Sequence, residues 1–100
     1  NHQIVIMTAR VIGAADFKFL DDNRLGYDYI YSRVFGDNTP DDILKKRMVL
    51  KMASHMRKSL AWIRSNAYMF DDNKSVRQCL TGFGIRCYNP TNYNEELKNA

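Results

Sequence analysis

Between positions 44 and 70 the chain carries seven lysines and arginines, one histidine and no acid. Its apolar residues there recur at helical spacing. One-sided charge combined with that period leaves few folds open, because the apolar side must be buried and the charged side must stay wet. Just upstream, Thr39-Pro40-Asp41-Asp42 reads as an N-cap, a proline at the first helical position and two carboxylates against the positive end of a helix dipole. The spacing predicts one long amphipathic helix over about 40–70.

At about 100° per residue, Met48, Val49, Met52, Met56, Leu60, Ile63, Ala67 and Phe70 gather in one arc and form the face for burial. Lys46, Arg47, Lys51, Arg57, Lys58 and Arg64 fall in the opposite arc with Tyr68, while His55 and Trp62 sit on the boundary between the two. Lys45 lies on the apolar side, where its stem is expected to snorkel outward. Met48, Met52 and Met56 make an adaptable stripe, read as core.

Two further segments echo each other: Phe19-Leu20-Asp21-Asp22-Asn23-Arg24 and Met69-Phe70-Asp71-Asp72-Asn73-Lys74. Acids are unfavourable at the negative end of a helix, so each Asp-Asp-Asn is read as the cap of a new one. The second opens a helix over 74–81 with Val76, Cys79 and Leu80 inward and Gly82 as its stop. The first opens a helix over 24–35 with Gly36 as its stop, although Gly26 and the alternating aromatic pattern of 27–35 also suit a strand.

Residues 3–7 and 83–88 read as strands, the latter alternating Phe83, Ile85 and Cys87 against Gly84, Arg86 and Tyr88. Their pairing would bring the ends of the chain together. Residues 10–20 suit a helix except at Gly13. The expected fold is a mainly helical α+β domain, with the long helix packed against two shorter helices and short terminal strands; an all-α fold is the alternative. A length of 100 residues fits one domain over 1–100, with 89–100 a partly frayed polar tail. An opening without methionine fits a fragment, a processed form or a tagged chain, with Met7-Thr8 an alternative start.

Apolar content of 45% with 26% charged residues argues against disorder and low complexity. No apolar run approaches the roughly 20 residues of a membrane span, so no membrane partner is expected. Cys79 and Cys87 lack zinc or CxxC spacing and are read as reduced thiols of a cytoplasmic, intracellular protein.

Three Asp-Asp doublets, at 21–22, 41–42 and 71–72, invite a Mg²⁺-dependent nuclease reading. Each stands where a helix start wants acids, and adjacent helical residues diverge too far to chelate together. No nucleophile elbow or phosphate-cradling glycine loop is present, so neither a cofactor nor an enzyme is expected.

The cationic arc is the strongest functional feature. A formal net charge of +4 favours an anionic partner. On a single helix, the rise from position 46 to 64 is about 27 Å, enough to follow several phosphates. The candidate site is therefore Lys46, Arg47, Lys51, Arg57, Lys58 and Arg64 on the phosphate backbone of RNA or DNA, with Tyr68 and Trp62 against bases. The alternative partner is an acidic surface of another protein, which would make the chain an adaptor or inhibitor; a homodimer is a further option.

Overall fold

The structure, a computed structural model, describes residues 2–90, and its backbone groups into two units, 1–39 and 40–100. Its described elements are four helices and four three-residue strands in two small parallel sheets. The mainly helical α+β expectation holds, and the strand pairs set the all-α alternative aside. The tail expected to fray lies, beyond Pro90, outside the described residues.

In residues 1–39, β1 (Val5–Met7) is followed by α1 (Ala14–Asp22) and β2 (Tyr29–Tyr31). The strands pair in parallel, Val5 opposite Tyr29 and Met7 opposite Tyr31, which makes α1 a crossover between them. The helix expected at 24–35 is therefore corrected to a loop and a strand. Gly26 weakens helix there, and Tyr29, Ile30 and Tyr31 are good strand formers once β1 offers backbone partners. Arg33 fastens the return by donating from Nε to the Ala9 carbonyl at 2.6 Å and from Nη1 to the carbonyls of Asp37 and Thr39, each at 2.8 Å.

The first Asp-Asp-Asn is also corrected, since Asp21 and Asp22 end α1 and do not begin a helix. Helix formation starts earlier, where the Asp16 carboxylate accepts from the Gly13 N–H at 3.0 Å. Lys18, one turn before Asp22, pairs with it at 3.0 Å and offsets the adverse dipole. Arg24 then takes a left-handed φ of 54°. The Arg24 N–H donates to the Asp21 carbonyl at 3.0 Å and the Leu25 N–H to the Leu20 carbonyl at 2.8 Å, the paired bonds of a Schellman closure.

In the second unit, α2 (Asp41–Met56), α3 (Leu60–Asn66), β3 (Tyr68–Phe70), α4 (Lys74–Gly82) and β4 (Arg86–Tyr88) follow in order. Pro40 is the cap residue of α2, with Asp41 and Asp42 in the first turn, and no side chain caps it; the expected Thr39 cap is not made, its hydroxyl donating to Asp37 at 2.6 Å.

The long helix expected over 40–70 is two helices and a strand. Arg57, at φ 55°, ends α2, with its N–H on the Ser54 carbonyl and the Lys58 N–H on the Ala53 carbonyl. Ser59 then starts α3, its hydroxyl accepting from the Trp62 N–H at 3.0 Å. A capping serine satisfies an N–H that the interior of one helix would not leave open, and this favours the break.

β3 and β4 pair in parallel, Tyr68 opposite Arg86 and Phe70 opposite Tyr88, with α4 as the crossover. The second Asp-Asp-Asn behaves as expected: the Asn73 side chain accepts from the N–H groups of Ser75 and Val76 at the start of α4. Gly82, expected as the stop, is instead the last residue of that helix, and the closure falls on Gly84, at φ +97°, with the Gly84 N–H on Thr81 and the Ile85 N–H on Leu80. The expected pairing of 3–7 with 83–88 is not formed, each strand finding its partner across a nearby helix. Closing a short loop costs less chain entropy than joining the two ends.

The core of this unit is Leu44, Met48, Val49, Met52 and Ala53 of α2 with Ile63, Val76, Leu80 and Ile85, all buried. Lys45 does not snorkel outward: its ammonium pairs with Asp71 at 2.5 Å, both side chains nearly enclosed. Asp71 also accepts from the Asn73 N–H at 2.9 Å, while its backbone carbonyl accepts from Arg77 and its N–H donates to the Tyr88 carbonyl. Asp71 thus ties α2 to the start of α4 through its carboxylate and holds β4 through its backbone N–H. Among the described residues, no helix is long and apolar enough to cross a membrane.

Candidate nucleic-acid interface

The break at Arg57 divides the expected cationic arc. Lys46, Arg47 and Lys51 stay on α2, Arg57 and Lys58 occupy the turn, Trp62 and Arg64 belong to α3, and Tyr68 is in β3. The continuous 27 Å rod expected above is therefore not formed, and Tyr68 shares no helix with the cations.

Geometry brings several of them together on aromatic rings. The Lys46 ammonium lies 4.7 Å from the centre of the Phe83 ring and the Arg64 guanidinium 5.0 Å from the same centre. Two cations from separate helices thus meet on one ring, whose negative face accommodates both. Arg64 also donates from Nε to the Phe83 carbonyl at 2.9 Å and lies so close across Gly84 that a Cβ there would stand 2.9 Å from its Cδ.

Arg86 reaches back in the other direction. Its Nη2 donates to the Ser65 carbonyl at 2.6 Å, its Nη1 to the Tyr68 hydroxyl at 2.9 Å, and its guanidinium carbon sits 4.0 Å from the Tyr68 ring centre. Arg64 onto Phe83 and Arg86 onto Ser65 lace α3 to the segment that ends in β4. Lys58 stands 4.8 Å from the ring centre of Trp62, which is itself exposed.

Arg47, Lys51, Arg57, Lys58 and Arg64 are exposed and Lys46 is half-buried. Among the described residues, no carboxylate forms an ion pair with Lys46, Lys51, Arg57, Lys58 or Arg64; the ion pairs there include Arg10 with Asp16, Lys18 with Asp22 and Lys45 with Asp71. Residues 40–100 carry eleven lysines and arginines against six acids, and residues 1–39 four against five. The excess positive charge of the chain belongs to the second unit.

Three residues at this surface were missed by the helical reading. Phe70, expected on the buried arc, is 51% exposed, and Tyr88 and Arg86 are exposed beside it. The alternation of 83–88 was the available signal: it correctly turns Ile85 inward and Arg86 and Tyr88 outward. Phe70 had no such signal, because its outward direction follows only from a strand beginning at Tyr68.

Among the described residues, no group of three or more His, Cys, Asp or Glu is placed to hold a metal ion. Of the three aspartate doublets, one ends α1, one begins α2, and Asp71 of the third is committed to Lys45. His55 is exposed in the last turn of α2. Cys79 and Cys87 are free thiols. Burial pushes the Cys87 thiol up and Asp71 adds to this, against the opposing effects of a Thr81 hydrogen bond and Arg77, so it is a poor nucleophile at neutral pH.

No protein-family description matches the chain, and no match emerges among curated proteins or solved structures.

Proposed function

We propose that the second unit is a small nucleic-acid-binding module that meets the phosphate backbone with Lys46, Arg47, Lys51, Arg57, Lys58 and Arg64, and that it works in the cytoplasm, where its two thiols stay reduced. The supporting observation is that three of these cations lie over aromatic rings. Lys46 and Arg64 rest on Phe83 and Lys58 rests on Trp62. A cation on a ring keeps its full charge, whereas one matched by a carboxylate presents little field to a phosphate. Arginines 57 and 64 add the planar fork that suits a phosphate oxygen pair.

The test is a titration of labelled single-stranded and duplex oligonucleotides with the whole chain over a range of salt. With four to six phosphates neutralised, log K falls against log salt with a slope of about −3 to −5. Arg57→Glu and Arg64→Glu weaken binding on every sequence, as loss of a backbone contact does. Absence of binding at low salt overturns the reading. So does recovery from lysate of one acidic protein partner that survives nuclease treatment, in a chain that binds no oligonucleotide.

A further inference from the structure

We infer that the outer face of the β3–β4 pair is a stacking platform for the bases of single-stranded nucleic acid; this rests on the nucleic-acid reading above and specifies its substrate.

The face is built by strand periodicity. Tyr68 and Phe70 project from β3 to the same side as Arg86 and Tyr88 from β4, while Met69 and Cys87 turn to the other side and are half-buried. The three rings are 58%, 51% and 41% exposed for Tyr68, Phe70 and Tyr88. Parallel sheets are ordinarily covered on both faces. Here three adjacent aromatic residues on one face each keep 41% or more of their surface exposed, the kind of exposure that marks a binding surface.

Its geometry favours unpaired bases. Tyr68 and Tyr88 are near-parallel, with centres 6.2 Å apart and planes 25° apart, and Phe70 follows at 5.7 Å from Tyr88. Both spacings exceed the roughly 3.4 Å between successive bases on one strand of a duplex. Duplex bases also keep their faces against each other, so only an extended, unstacked strand can offer one base face to each ring. Stacking on rings accepts any base, since all have a π-face.

Charge complements the rings. Arg86, opposite Tyr68 in the register, stands over that ring with its guanidinium carbon 4.0 Å from the ring centre, and bonds to the Tyr68 hydroxyl and the Ser65 carbonyl. The strip therefore has a cation at one end. It sits in the unit that holds the positive excess of the chain, and a ligand with aromatic faces and a negative backbone matches both features.

The experiment uses fluorescence anisotropy of labelled oligo(dT) and oligo(U) of about a dozen nucleotides, and a duplex of the same length, with the whole chain and its Phe70→Ala, Tyr88→Ala, Tyr88→Phe and Lys51→Glu variants. Each alanine variant is expected to lose about tenfold on the single strands and to leave duplex affinity and the salt slope unchanged. Tyr88→Phe retains binding, and Lys51→Glu weakens single strand and duplex alike. Alanine variants that bind single strands as the parent does, or that lose equally on duplex, overturn the platform while leaving the phosphate reading intact. A parent chain that binds neither form overturns both. Should the alanine variants fail to fold, photocrosslinking of the unmodified chain to 5-iodouracil strands decides the matter: adducts on Tyr68, Phe70 or Tyr88 support the platform, and adducts confined elsewhere exclude it.

Discussion

Both units use the same local device, a helix of nine residues carrying the chain between two three-residue parallel strands, yet only the second has a core beneath it. Val76 and Leu80 of α4 are fully buried, and α2 supplies the opposing layer with Leu44, Met48, Val49, Met52 and Ala53. In residues 1–39, α1 buries none of its residues, Tyr31 is the one buried apolar residue described, and Phe19 and Phe35 stand 60% and 89% exposed. A helix crossing a two-stranded sheet is a motif that needs a second layer to bury its faces. Below about 40 residues a chain seldom forms a stable core unaided. α2 makes the difference, and it also carries the first three cations of the candidate interface.

The contrast can be broken most severely at Asp71. Asp71→Ala leaves the Lys45 ammonium enclosed without its partner and the Asn73 N–H without its acceptor, a loss expected at about 3–5 kcal/mol. Urea unfolding followed by the fluorescence of Trp62, the single tryptophan, reads this in the second unit directly. A midpoint close to that of the parent would show that the carboxylate does not hold the unit together.

Next in size is a matched pair. Leu80→Ala, in a fully buried site, is expected to cost about 2–5 kcal/mol, whereas Phe19→Ala in α1 stays within about 0.5 kcal/mol. Equal costs measured by circular dichroism would mean that α1 is as well packed as α4, and the contrast would fail.

Smaller again is the effect of the two arginines that take left-handed backbone. Arg57→Gly removes a strain of about 1 kcal/mol against a loss of chain entropy of similar size. It is expected to keep or slightly raise the Trp62 transition while weakening oligonucleotide binding. Arg24→Gly, at the end of α1, leaves that transition unmoved. A loss of stability in Arg57→Gly would show that the side chain, not the turn, is what matters at the junction of α2 and α3.

The duplicated Asp-Asp-Asn shows what the sequence could and could not reveal. Read alone, both copies are helix caps, and the second is one: Asn73 accepts from two N–H groups of α4. In the first, Asn23 instead donates to the Phe19 carbonyl at 2.8 Å behind a finished helix. The chemistry of an Asx residue serves either end, and the choice is made by whether the preceding residues are already helical. The burial of Met48, Val49 and Met52 in α2, the start of α4 and the outward direction of Arg86 and Tyr88 were legible because periodicity is local. The break at Arg57 was signalled only by Ser59, one polar residue inside a pattern that otherwise continues. Strand partners were not legible, since a three-residue strand specifies no mate by itself; the Lys45 pairing with Asp71 was hidden for the same reason, its partners standing 26 positions apart.

The central claim is that the anion-binding capacity of the chain lies in the second unit. It is tested most directly by measuring oligo(dT) affinity at about 0.1 M salt, where charges more than about 10 Å apart are largely screened. The charge reversals Lys51→Glu and Arg57→Glu in one unit are compared with Arg10→Glu and Arg24→Glu in the other. The first pair is expected to lower affinity about tenfold or more and the second to leave it nearly unchanged. Equal losses from both pairs, or no loss from either, would contradict the account.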